Sequence, residues 1–162
     1  MSGDEAKKML AVVRYRFDAS PEDVFDAWLL PEIASKWWFT SPASKSHSAE
    51  IDGRIGGKYK IVDQRDGVTY TAVGEFTEID RPRRIAFTFC MPQFADEIDV
   101  VTVDIDADGD GSWLTLKQAC YRDFKTPSED GWGKMFVMLA NLLSTRGAMA
   151  SVDPRQFLRR PR

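Results

Sequence analysis

Cysteine and histidine are nearly absent: the 162-residue chain holds two of the former, Cys90 and Cys120, and one of the latter, His47. Two thiols cannot make a disulfide framework, and their scarcity suits a reducing compartment. A single imidazole leaves no second ligand for a histidine-based zinc site. It also forces any Ser-His-Asp or Cys-His relay through His47, which the sequence places in a polar loop. No uninterrupted apolar run approaches the ~20 residues that a bilayer span requires. Residues 1–8 are polar and lack the apolar stretch of a signal peptide. Charge of one sign is not in excess either, the formal net charge being −3, which argues against nucleic acid as a partner. There is no internal repeat and no low-complexity linker. These absences set the expectation of a soluble, cytoplasmic chain without a membrane span, metal or cofactor.

What is present is apolar and aromatic. Hydrophobic residues make up 43% of the chain and aromatics 12%, with five Trp and ten Phe. That is enough for a large core or an apolar cavity within one domain of ordinary size. The single domain is expected over residues 1–150. Residues 151–162 carry Arg155, Arg159, Arg160 and Arg162 against Asp153, a net +3 that leaves −6 for the rest. That end reads as a basic, disordered tail, dispensable for folding.

Met9 to Phe17 is β-rich and reads as a first strand. Ser20-Pro-Glu-Asp23 follows with three agreeing helix-start signals: a capping hydroxyl, proline at the first helical position, and acidic residues at the positive end of the dipole. Pro31 breaks this helix and opens a second short one reaching Trp37. After Ala49–Asp52 and a glycine-rich turn, five strand-like runs span 57–63, 69–79, 83–91, 98–106 and 112–121. The short turns between them imply hairpins and an antiparallel meander. Thr126-Pro-Ser-Glu129 fits a capping box for a last helix, on which Trp132, Met135, Phe136, Leu139, Leu142 and Leu143 recur at helical spacing before a stop at Gly147. Gly131 and Gly133 flank Trp132 and read as sites of close packing. The order β, α, α, six strands, long α is α+β. A curved antiparallel sheet of about seven strands wrapped around one long helix buries all these faces.

The chain resembles the heat-shock chaperone ATPase activator-homologue family of the START/SRPBCC (birch-pollen-allergen-like) superfamily, which has the helix-grip fold. The resemblance rests on Ala19–Ala27, Pro31-Glu32, Trp37-Trp38, Asp52-Gly-Arg-Ile-Gly-Gly57, Gly74–Ile79, Pro82–Ile85, Val100–Val103, Leu114-Thr-Leu116 and Gly131-Trp132, in that order and spacing. It covers roughly residues 11–145. It implies an apolar cavity between sheet and long helix that binds a small hydrophobic or amphipathic molecule, and in a minority of members catalyses cyclisation or hydrolysis. It also implies a place in the stress response and a chaperone or other protein as partner. The founding co-chaperones carry an additional N-terminal domain, for which no room is read before the strand at residue 9. Their activity is accordingly not expected to carry over. Three functions follow: ligand binding first, then a cavity enzyme of polyketide-cyclase or hydrolase type, then a protein-interaction module. The chain is read as a monomer or homodimer.

Strand alternation places Phe87, Phe89 and Met91, then Val101 and Val103, then Leu114 and Leu116 towards the helix. Met135, Met138, Leu139 and Leu142 face them, and Phe76 completes the set. A core and a ligand cavity use the same residue types, so the sequence leaves both open. Trp37-Trp38-Phe39 reads either as a lip at a cavity mouth or as core, since two adjacent Trp side chains on one helix do not both point inward. Tyr59 and Tyr70 offer hydroxyls for a polar ligand end, or merely pack. Gln118 stands where the family often has a histidine on the last strand. Asp99, in phase with Val101, is the one candidate general base, the alternative being a carboxylate at a wet rim. Cys120 reads as a buried, inert thiol. Asp106-Ala-Asp-Gly-Asp-Gly111 begins like a calcium loop but puts Lys117 where a bidentate Glu belongs, so it reads as a hairpin turn.

Overall fold

A computed structural model describes residues 8–93 and 97–144 in full and the backbone of 145–150. The proposed tail, 151–162, lies outside the described residues. Seven strands form one antiparallel sheet in the order β1-β7-β6-β5-β4-β3-β2: β1 Lys8–Phe17, β2 Ser46–Ile51, β3 Lys58–Arg65, β4 Val68–Asp80, β5 Arg84–Phe89, β6 Asp99–Asp108 and β7 Gly111–Tyr121. Helices α1 (Pro21–Leu29) and α2 (Pro31–Ala34) follow β1, and α3 (Arg122–Ala150) closes the described chain. Among the described residues, no helix is long and apolar enough to cross a membrane.

Local chemistry explains most boundaries. Ser20 caps α1 by accepting the Asp23 backbone N–H at 3.2 Å, with Pro21 in the first turn. The β3–β4 hairpin turns on Asp66 and Gly67 at φ of 54° and 75°, the left-handed pair that a two-residue turn between twisted strands requires. Asp108 pairs with Gly111 across the two-residue β6–β7 turn, where Gly109 sits at φ 59°. The calcium-like motif is therefore a hairpin, and Arg16 Nε lies 2.9 Å from Asp108, holding its carboxyl below the usual range.

The inner sheet face forms cross-strand rows. Val13, Leu116, Val103, Ile85 and Ile79 lie opposite one another in turn, and so do Ala11, Gln118, Val101, Phe87 and Phe76. A bulge between Phe76 and Glu78 lets both Phe76 and Ile79 face the helix despite their odd spacing. Against these rows α3 buries Trp132, Met135, Phe136, Leu139 and Leu143. Trp28 stands at the centre, its ring centroid 4.8 Å from that of Trp37 and 5.6 Å from that of Trp38, both edge-to-face.

Three expectations are corrected. The long helix starts at Arg122 rather than beyond Thr126, because β7 runs into it without a loop, and Pro127 stands inside it. It continues past Gly147. Gly131 and Gly133 are not sites of close packing, since a Cβ added at either meets nothing within 4 Å.

Candidate functional site

An open cleft of about 870 Å³ lies beside the first half of α3. The helical wall carries Trp132, Met135 and Met138, with Gly131 leaving room beside the indole and Phe124 and Val137 at the mouth. The last two are each 49% exposed, an apolar rim on a water-facing opening. The sheet wall is built from strand ends: Arg65 and Tyr70 from the β3–β4 hairpin, Phe89 to Met91 at the end of β5, Glu97 and Asp99 at the start of β6, and Gln118 and Tyr121 on β7. The segment Phe39–Pro42 after α2 closes the third side. A second hollow, of about 540 Å³ over Gly74 and Thr88, is flanked by the charged side chains of Glu50, Lys58, Lys60 and Glu75.

Tyr70, Phe89, Met91, Asp99, Gln118, Met135 and Met138 thus meet at the cleft. The remaining candidates do not. Trp37, Trp38, Tyr59, Phe76, Phe87, Val101, Val103, Leu114, Leu116 and Leu139 are buried in a closed core, and Leu142 packs on its edge. The space between the middle of the sheet and α3 is filled by side chains rather than open. The two adjacent tryptophans both point inward because α2 has ended at Ala34 and they sit on turns. Trp37 Nε1 donates to the Ala27 carbonyl at 2.9 Å, while Trp38 packs on Tyr59 with ring centroids 4.8 Å apart. The residue that reaches the cleft is the next one. Phe39, at φ 54°, stacks on Phe89 at 5.2 Å and donates its backbone N–H to Met135 Sδ at 3.1 Å. Tyr59 has spent its hydroxyl, which donates to the Thr88 carbonyl at 2.7 Å, and burial pushes its phenol well above the ordinary range.

Polar groups at the two ends of the cleft are held in place. At one end, Trp132 Nε1 donates to Gln118 Oε1 at 2.8 Å, Gln118 Nε2 donates to Asp99 Oδ2 at 2.8 Å, and Lys8 Nζ donates to Asp99 Oδ1 at 3.2 Å. Gln118 is buried, and this chain satisfies both ends of its amide. At the other end, His47 is not in a loop. It sits on β2 opposite Asp63 of β3, with Nδ1 2.9 Å from Asp63 Oδ1. Asp63 is 1% exposed, and Arg65 Nε lies 3.2 Å from its second oxygen, an ion pair off the alignment of a hydrogen bond. The Arg65 guanidinium also sits over the Tyr70 ring, 4.8 Å from its centroid.

Sequence reasoning missed Arg65, Cys90 and Glu97 as wall residues, whereas Phe39 lines the cleft as one of the two readings of Trp37-Trp38-Phe39 had it. The inward phase of Asp63 and Arg65 with Tyr59 and Ile61 was available, and a carboxylate on a buried face calls for a partner. Cys120 is buried, and burial pushes its thiol up.

A curved antiparallel sheet gripping one long helix, with an apolar cleft at the helix's first turns, defines a helix-grip α+β domain. The chain belongs to the family of Activator of Hsp90 ATPase homolog 1-like proteins, whose sequence profile matches residues 18–144. Among curated proteins no match is found. Similar solved structures include protein Ms6760 of Mycobacterium smegmatis (TM-score 0.71, 17% identity, 85% of this chain and 92% of that one). Protein SA2116 of Staphylococcus aureus, of unknown function, superposes with a TM-score of 0.70 at 23% identity over 88% of this chain and 99% of its own. CalU16 of Micromonospora echinospora follows with a TM-score of 0.64 at 19% identity over 88% of each chain. At these identities the likeness establishes the fold.

Proposed function

We propose that the cleft binds a small hydrophobic or amphipathic molecule. The observation that carries this reading is a hollow of about 870 Å³ walled by Phe39, Phe89, Met91, Trp132, Met135 and Met138, a size and lining typical of small-molecule sites. Leaving such a wall in water costs free energy that a ligand recovers, at roughly 25 cal/mol per Å² of apolar surface covered. The three methionines give a wall that adapts to ligand shape.

The enzyme reading is weaker on a specific ground. Asp99 would serve as general base, but Lys8 and Gln118 already donate to its two oxygens, so both are engaged within the protein rather than presented to a substrate. The family's name associates it with a chaperone ATPase, and a protein partner is the outcome if the cleft stays empty.

The test uses Nile red, a neutral apolar dye, with native mass spectrometry of the full chain purified from its own source. Dye emission should rise and shift to the blue on binding, and a retained small molecule should appear as added mass. No dye response and no added mass would sink the ligand reading.

A further inference from the structure

We infer that the ligand is a single-chain amphiphile with a carboxylate head, received by Arg65 at the hairpin end of the cleft. This deepens the ligand-binding proposal and rests on it. Arg65 is the one arginine among the described residues lining the cleft, and its side chain is only 28% exposed. Its guanidinium is oriented twice over. Nε faces Asp63 at 3.2 Å, and the plane lies on the Tyr70 ring at 4.8 Å. Asp63 is itself fixed from behind by His47 at 2.9 Å and is 1% exposed. The fork is therefore set before a ligand arrives, and its terminal nitrogens are the edge left for a planar two-oxygen acceptor. A preorganised donor pair in a half-buried wall loses little entropy on binding.

Charge decides both the orientation and the class of the head. At the far end of the cleft Glu97 and Asp99 outnumber Lys8, which lies 3.7 Å and 3.2 Å from them, so an anion is repelled there. Lys134 adds an exposed cation on the helical wall. Asp63 offsets part of the Arg65 charge, which suits a monoanionic carboxylate and disfavours a phosphate dianion. The apolar chain then runs along Phe89, Met135 and Met138 towards the open mouth at Phe124 and Val137.

The test is displacement of Nile red from the full chain by dodecanoate and by dodecan-1-ol, both kept below micelle formation at neutral pH. Dodecanoate should bind roughly tenfold more tightly than the alcohol, a gap that narrows as salt is raised. Arg65→Gln should bring dodecanoate level with the alcohol, and Arg65→Lys, which keeps a cation beside Asp63, should retain only part of the gap. Equal binding of acid and alcohol to the parent overturns the inference while leaving the ligand reading intact. So does a gap that survives Arg65→Gln in a variant with parental circular dichroism. If that variant does not fold, the parental comparison and Arg65→Lys decide. Failure of the dye and both amphiphiles to bind overturns both readings.

Discussion

Trp132 on α3 donates its indole N–H to the side-chain carbonyl of Gln118 on β7 at 2.8 Å, and both residues are 2% exposed. This bond ties the helix to the sheet where the cleft meets the closed core. It also fixes the orientation of the Gln118 amide, whose NH₂ group is thereby aimed at Asp99. One neutral amide carries order from the core to the polar end of the cleft.

Gln118→Leu keeps the volume and removes the bridge. It leaves the Trp132 N–H buried without an acceptor, at a cost of about 1–3 kcal/mol. Urea denaturation should show that loss, and Trp emission should change with it. Parental stability would mean that the indole finds water or another acceptor.

Gly74 lies opposite Tyr59, and a Cβ there would sit 1.8 Å from the Thr88 carbonyl oxygen and 2.5 Å from the Tyr59 ring. Because the first of these atoms is backbone, the contact cannot be relieved by a rotamer change. Gly74→Ala should cost more than about 2 kcal/mol, among the larger single-site effects. Chemical denaturation that finds it neutral would show that β4 and β5 part easily at this point.

Core and cleft should respond oppositely to added bulk. Leu116 is fully buried, so Leu116→Phe overpacks and should cost about 1–3 kcal/mol with little change in dye binding. At Gly131 a Cβ meets nothing within 4 Å, so Gly131→Ala should stabilise α3 by up to about 1 kcal/mol. Gly131→Met should lower dye affinity by filling the cleft. Thermal melts with Nile red titrations check all three. Stabilisation by Leu116→Phe would reveal an unfilled core.

Glu129 of α3 accepts the Val12 backbone N–H at 2.9 Å and the Lys125 ammonium at 2.9 Å. The Val12 bond first, then Lys125, holds its carboxyl below the usual range. A carboxyl depressed in the folded state adds stability above its unfolded pKa and loses it as pH falls through the lower, folded value. Glu129→Gln should therefore be less stable than the parent at neutral pH, with the difference fading below about pH 4. A difference independent of pH would assign the effect to packing alone.

Much of the fold was legible because short-range chemistry decides it. Alternation along Phe87–Phe89 and Val101–Val103, the Ser20 cap and the Asp66-Gly67 turn each act within a few residues, where rotamer, dihedral and pleat leave few choices. The start of α3 was not legible. Thr126-Pro127 carries a sound local start signal, and the helical turn before it is added because Tyr121 runs directly into Arg122. The bulge at Phe76 was equally hidden, since an extra residue in a strand shows only against its partner.

The division between core and cleft belongs to the tertiary structure alone. Phe87 and Phe89 are the same residue on the same face of one strand. The first is closed over by Trp28 and Trp38, while the second meets Phe39 and the open cleft. No sequence period distinguishes them, because burial depends on how far α3 and the Phe39 segment reach over each position. Likewise Asp63 meets His47 across the β2–β3 register and Arg65 along its own strand, and this trio is what gives the apolar cleft a charged end. The sequence by itself determined which residues turn inward. Only the packing of distant segments decided which of them are sealed from water and which are left to meet a ligand.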